Sequence, residues 1–178
     1  MLTVRRFRDT DAGVLWALNA LPNIGETADP AVPIPLPAAA EAPANFPDLA
    51  DIEGTFLATG GEFLVVELDG HVVGMGGYRP DAGERAEVLR VRVHPATRRR
   101  GIGRALMAEL ERRATADGLR SMHLDTATNQ PAAMAFYQDL GYREVGREHQ
   151  PGWTWTLVYY VKSLSDVTAA RQWNPGSG

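Results

Sequence analysis

Residues able to do chemistry gather in three places along this chain of 178 residues. The first is the basic run Arg98-Arg99-Arg100-Gly101-Ile102-Gly103-Arg104. Glycines let a backbone approach a ligand closely, and a guanidinium suits phosphate. A helix starting inside such a run presents first-turn N–H groups and the positive end of its dipole, a seat for a pyrophosphate. The second place is Glu87. Strict strand alternation with Leu89 and Val91 would put its carboxylate on an otherwise apolar face, where burial raises the pKa towards that of a base poised near neutrality. The third is the segment from Asn129 to Tyr142, where Tyr137 lies on an apolar helical stripe with Ala133, Phe136 and Leu140.

Each place also has a plainer reading. The arginines can form a solvated basic face. Glu87 can pair with Arg90 or a nearby loop. Tyr137 can be a core tyrosine with its hydroxyl at the edge. Glu84 and Asp125 stand behind Glu87 as alternative bases.

The elements that must position these groups follow from patterning. Glu87 to Val93 alternates and is rich in Val and Leu, which predicts a strand that Pro95 ends. Leu106, Leu110 and Ala114 recur at helical spacing, predicting a helix over Gly103–Asp117. The order strand, glycine-bearing turn, helix is what a phosphate seat needs. Upstream, Leu2–Phe7 reads as a strand and Asp9 or Thr10 caps a helix to about Ala20. Seven of the twelve prolines fall between Pro22 and Pro47, excluding a helix or a central strand there. That stretch is either a surface loop or a substrate-side lid. Asp48–Ala58 reads as a short helix. Phe63–Leu68, the turn Asp69-Gly70 and His71–Tyr78 form a hairpin, whose return-strand glycines predict a bulge or a close backbone approach. Arg79–Arg85 reads as a loop and Ser121–Thr126 as a strand. A helix follows, with Thr128 or Asn129 as its cap and Pro131 near its start. Tyr142–Glu148 and Trp153–Lys162 form a final antiparallel pair. On that strand Trp153, Trp155 and Tyr159 alternate as core, or else Trp155 or Tyr160 lines an acceptor pocket. The expected fold is α/β, with hairpins beside βαβ units in one mixed sheet. It makes a single domain over 1–163, with a tail over 164–178.

A dinucleotide fingerprint would need Gly or Ala where Leu106 stands, and no Gly-Lys-Ser/Thr closes a P-loop. What fits is Arg98-x-x-Gly101-x-Gly103. With Asn129-x-x-x-Ala133-x-x-Phe136-Tyr137-x-x-x-Gly141-Tyr142 downstream, the chain resembles the GCN5-related N-acetyltransferase (GNAT) superfamily, over about Leu2–Lys162 as an element order. The resemblance implies a mixed, mostly antiparallel sheet flanked by helices, with a splayed strand pair holding acetyl-CoA as cosubstrate and no metal. It implies that Val91 and Val93 offer main-chain groups to the pantetheine arm, Val93 N–H polarising the thioester carbonyl. Arg98 meets phosphate. Arg99, Arg100, Gly101, Ile102 and Gly103 contribute mainly backbone, and Arg104 sits one turn into the helix. Asn129 bonds the pantetheine arm, Tyr137 protonates the leaving thiolate, and Glu87 is the base. A base is needed because an alkylamine of pKa near ~10.4 is almost wholly protonated at pH 7, a deficit of roughly 4–5 kcal/mol.

Composition bounds the rest. There is no cysteine, so disulfides, thiolate metal sites and a cysteine acyl-enzyme are excluded, and four scattered histidines show no metal-ligand spacing. A net charge of −4 makes the arginine run a local patch and argues against nucleic acid. No span for a membrane and no signal peptide is visible, and a cytoplasmic protein is expected. The expected activity is acetyl transfer to a primary amine, on a small molecule or a peptide, by direct attack in a ternary complex. A non-catalytic acyl-CoA sensor and a nucleotide binder are the competing readings. Members of the resembled superfamily are often dimers, and a homodimer is what the resemblance allows.

Overall fold

The computed structural model describes residues 1–164; of the tail expected over 164–178, all but Leu164 lies outside the described residues. Seven strands form one sheet in the order β1-β2-β3-β4-β5-β7-β6. They are β1 (Leu2–Arg6), β2 (Glu62–Leu68), β3 (His71–Asp81), β4 (Arg85–Val93), β5 (Ser121–Ala127), β6 (Arg143–Glu148) and β7 (Leu157–Ser163). Every neighbouring pair is antiparallel except β4 with β5. The helices are α1 (Ala12–Ala20), α2 (Pro47–Ala50), α3 (Ile102–Ala116) and α4 (Pro131–Asp139).

The sheet has a core on each face. On one, Ile102, Leu106, Leu110 and Ala114 of α3 and Tyr137 of α4 pack with Leu64, Val66, Val88, Leu124 and Tyr160. On the other, Leu15 and Leu18 of α1 and Leu49 of α2 pack with Phe56, Phe63, Val65 and Met75. α1 begins from a single 3-10 turn at Asp9–Asp11, where the Asp11 carboxylate accepts the Arg8 N–H at 2.7 Å. The helix expected over Asp48–Ala58 is instead two pieces, α2 and a π-type turn at Glu53–Leu57. Asp51 interrupts it in a non-helical conformation, at φ −137° and ψ 71°, and accepts Gly54 N–H through its carboxylate.

Four more expectations are corrected. The loop placed at Arg79–Arg85 shrinks to residues 82–84, because β3 and β4 keep pairing out to Asp81↔Arg85. Trp153 and Trp155 are not on a strand. β7 begins at Leu157, and their rings stack on each other in the preceding turn, 5.5 Å apart and 9° from parallel. Tyr160, offered as a pocket residue, is fully buried in the α3-side core, where its hydroxyl accepts a hydrogen bond from Gln138.

The fourth correction concerns β4. Gly77 pairs with Leu89 and Met75 pairs with Arg92, so Arg90 and Val91 together oppose Gly76. This is a β-bulge, with Arg90 at a left-handed φ of 60°. The extra residue inverts the alternation. Ala86 and Val88 face the α3-side core, and beyond the bulge Val91 and Val93 rejoin that same side. Leu89 packs towards α1, while Arg90 reaches Asp48 and Arg92 reaches Asn19 on that face. Glu87 and Val91 therefore lie on opposite faces, and uninterrupted alternation through β4 does not hold.

Candidate functional site

Strand β4 pairs with β5 only at Arg85↔Ser121, Ala86↔Met122 and Glu87↔His123. Beyond that rung the two strands part. A cavity of about 850 Å³ opens between them, lined by Val88–Val93 on one side and Leu124–Ala127 on the other. The bulge at Arg90 turns β4 away at the point of separation, since a bulge bends its strand. The N–H of His94 donates to Val73 O at 2.7 Å, across the β3 side. Successive residues of a strand point their main-chain groups to opposite edges, so those of Val93 face the gap.

At the far end of the cavity lies the basic run. Gly101 is the N-cap of α3 at φ 76°, and a Cβ there would meet nothing within 4 Å. Gly103 is tight instead: a Cβ would come within 3.0 Å of the Phe136 ring. Among the described residues, no acceptor takes the main-chain N–H groups from Arg98 through Arg104. That row of free donors, ending at the positive pole of a fifteen-residue helix, fits a pyrophosphate. Arg98, Arg99, Gly101, Ile102, Gly103 and Arg104 line the cavity, whereas Arg100 is exposed outside it. Arg98 donates to Thr27 Oγ1 at 2.6 Å, and its Nε is buried without a partner. Burial pushes that guanidinium below its ordinary pKa, an arrangement an incoming phosphate would relieve.

The proline-rich segment contains no helix or strand between Leu21 and Phe46, yet it is tied onto the site. Gly25 N–H donates to Asn129 O at 2.7 Å and Asp29 N–H to Pro95 O at 3.1 Å. His94, fully buried, accepts the Ala96 N–H at Nδ1 and so carries its proton on Nε2, which lies 2.9 Å from Pro33 O. Pro22 through Ala28, apart from Ile24, line the cavity. The first part of the stretch thus forms part of one wall of the cavity, while residues 29–47 do not line it.

Tyr137 lines the cavity from α4. Its hydroxyl has no hydrogen-bond partner among the described residues, and burial raises it well above the ordinary phenol range. The charge of Arg92 opposes that rise and the charge of Asp125 adds to it. Asn129 is joined to the site by its carbonyl, through Gly25. Its neighbour Gln130 lines the cavity and caps α4 in place of Thr128 or Asn129. Gln130 Oε1 accepts from the Thr126 hydroxyl at 2.6 Å.

Glu87 sits on the last paired rung, just outside the cavity lining, with Arg79 as ion-pair partner at 3.7 Å. Asp125, two residues beyond His123, lines the cavity. Although water reaches Asp125, its protein surroundings raise the carboxyl above the usual range, and the Glu87 charge adds to the rise. Glu84 is remote, exposed in the β3–β4 turn and paired with Arg120. The sequence reading missed Arg92, which lines the cavity, and Thr27 and Gln130. Arg92 and Thr27 meet partners more than seventy positions away, Asn19 and Arg98, and no local pattern announces them.

Residues 32–142 match the model of the Acetyltransferase (GNAT) family. An acetyltransferase of Pectobacterium atrosepticum is 37% identical over 105 residues, covering 58% of this chain and 72% of that protein. A GNAT-family acetyltransferase of Staphylococcus aureus superposes with a TM-score of 0.74 at 19% identity, covering 92% of this chain and 99% of that one. A GNAT-superfamily phosphinothricin acetyltransferase of Sinorhizobium meliloti, solved in complex with AcCoA, gives 0.72 at 21% identity, covering 99% and 94%. At these identities the two solved structures bear on the fold alone.

Proposed function

The chain belongs to the acetyltransferase (GNAT) family, and on that premise we propose that it moves an acetyl group from acetyl-CoA to a primary amine by direct attack in a ternary complex. The observation that carries this reading is the parting of β4 from β5 onto a row of unpartnered N–H groups at the start of α3. The row Arg98–Arg104 takes the diphosphate, and the gap beside Val91 and Val93 takes the pantetheine arm, with Asn129 at its edge.

Bound acetyl-CoA supplies a thioester whose C–S bond breaks as the amine nitrogen bonds to the acyl carbon. Val93 N–H polarises the carbonyl, an oxyanion-type contact. One carboxylate, Glu87 or in its place Asp125, accepts the proton that the amine must lose. Tyr137, a phenol and so protonated at neutral pH, meets the departing sulfur as a hydrogen donor. The products are an N-acetylated amine and free coenzyme A.

The test is thiol release from acetyl-CoA against a panel of amines, with calorimetric binding of acetyl-CoA measured alongside. Turnover with at least one amine is the expected result. Tight binding with no turnover on any amine would leave an acyl-CoA sensor, and no binding would remove both readings.

A further inference from the structure

We infer that the acceptor amine carries a carboxylate of its own and that Arg92, set in the α1-side wall of the cavity, receives it. This rests on the acetyl-transfer reading and names the acceptor class for the same site.

Charge pairing within the cavity singles Arg92 out. Five arginines line it: Arg90, Arg92, Arg98, Arg99 and Arg104. Arg90 is matched by Asp48 and stacks over Phe46, its guanidinium 4.6 Å from the ring centre. Arg98, Arg99 and Arg104 belong to the diphosphate seat. Arg92 belongs to neither set. No carboxylate lies within ion-pair distance of it among the described residues. Its one polar contact is a long 3.5 Å approach to Asn19 Oδ1, and its NH1 is buried with no acceptor. Burial lowers its pKa, and the like charges of Arg90 and Arg98 lower it further. A largely desolvated guanidinium without an anion is costly, and an anion entering the cavity removes that cost. Guanidinium and carboxylate match in a planar, two-bond geometry.

The opposite pole lies on the same face of the sheet. Asp125 lines the cavity from β5, with Glu87 close enough for its charge to raise the Asp125 carboxyl. Tyr137 lines the same cavity, and the charges of Arg92 and Asp125 act on its hydroxyl with opposite sign. An ammonium beside Asp125 and a carboxylate on Arg92 describe one zwitterionic molecule, an amino-acid-like amine. A polyamine or a peptide lysine would bring only positive charge and leave Arg92 unmatched.

The experiment compares matched acceptors, free L-amino acids against their carboxamides, in thiol release from acetyl-CoA. Wild type is expected to favour the carboxylate member by about tenfold or more in kcat/KM, the size of one well-made ionic contact. In Arg92→Gln the ratio should fall towards one, and Arg92→Lys should restore part of it. Acetyl-CoA affinity should be the same in wild type and Arg92→Gln. Equal use of both members by wild type overturns the inference, as does an equal loss on both in Arg92→Gln. A weakened acetyl-CoA Kd in that variant would make Arg92 a cosubstrate contact and overturn it too. A panel without turnover, while acetyl-CoA binds, excludes this acceptor class. Failure to bind acetyl-CoA would instead remove the transfer reading beneath it.

Discussion

Arg90 donates to both oxygens of Asp48, from Nε at 2.6 Å and from NH2 at 3.1 Å, and so ties the bulge of β4 to α2. Arg90 holds a left-handed φ that costs a side-chain-bearing residue roughly 1–2 kcal/mol, and the clamp offsets this. Asp48→Ala should lower stability by about 2 kcal/mol, since it removes a charge-assisted pair and leaves a half-buried cation unmatched. Urea unfolding of the variant measures the loss. A change under a few tenths of a kcal/mol would mean that the bulge is held by the sheet alone.

Gly103→Ala should damage acetyl-CoA binding more than folding. The new methyl would press on Phe136 in the first turn of α3, where the free N–H groups lie. We expect about a tenfold rise in Kd, near 1.4 kcal/mol, with a smaller change in unfolding free energy. Calorimetry on the folded variant separates the two effects.

Tyr137→Phe should leave stability nearly unchanged, because the hydroxyl makes no hydrogen bond among the described residues. Its kcat should fall about a hundredfold, at the lower end of what general acid–base groups contribute. An unaltered kcat would leave Tyr137 as a core residue only.

The two carboxylates can be told apart by pH. The Asp125 carboxyl is raised by its protein surroundings and then by Glu87, so activity that depends on its charged form falls as pH drops through a value above the ordinary 3.8. Glu87→Gln removes one cause of the rise. If Asp125 takes the proton, the acid limb of the kcat/KM profile moves to lower pH in that variant. If Glu87 takes it, the acid limb disappears. The raised pKa also means that charged Asp125 disfavours the folded state at neutral pH, so Asp125→Asn should unfold at slightly higher urea while losing activity.

Acid should weaken the fold through Glu62, which is 4% exposed and accepts from Arg6 and Arg113. Burial alone would raise its carboxyl, but the two guanidiniums outweigh that and hold it below the ordinary 4.5. A depressed folded pKa stabilises above the unfolded value, and the contribution is lost as pH falls through the folded one. Urea midpoints should thus hold near neutrality and fall below about pH 4.5, and Glu62→Gln should fall less steeply over that range.

Much of the architecture was legible because it rests on short-range rules. The hairpin turn Asp69-Gly70 appears as expected, with both residues at positive φ. The α3 stripe of Leu106, Leu110 and Ala114 is buried as its spacing implied. The return-strand glycines do mark bulges: one in β3 itself, where Val73 beside Gly74 is the extra residue against β2, and one in β4 opposite Gly76. The inverted faces beyond Arg90 were not legible, because nothing near residue 90 in the chain announces a left-handed residue. Its clamp lies at Asp48, forty-two positions away.

By itself, then, the amino-acid order determined the turn from β4 to α3 and the donors it exposes, since glycine spacing and helix propensity act within a few residues. Tertiary structure alone decided which groups share the cavity. The proline-rich wall is held by His94 and Arg98, the Trp153–Trp155 pair is displaced from its expected strand, and Arg92 is left without an anion. These outcomes depend on burial and on partners brought together only when the sheet closes, and no local periodicity encodes them.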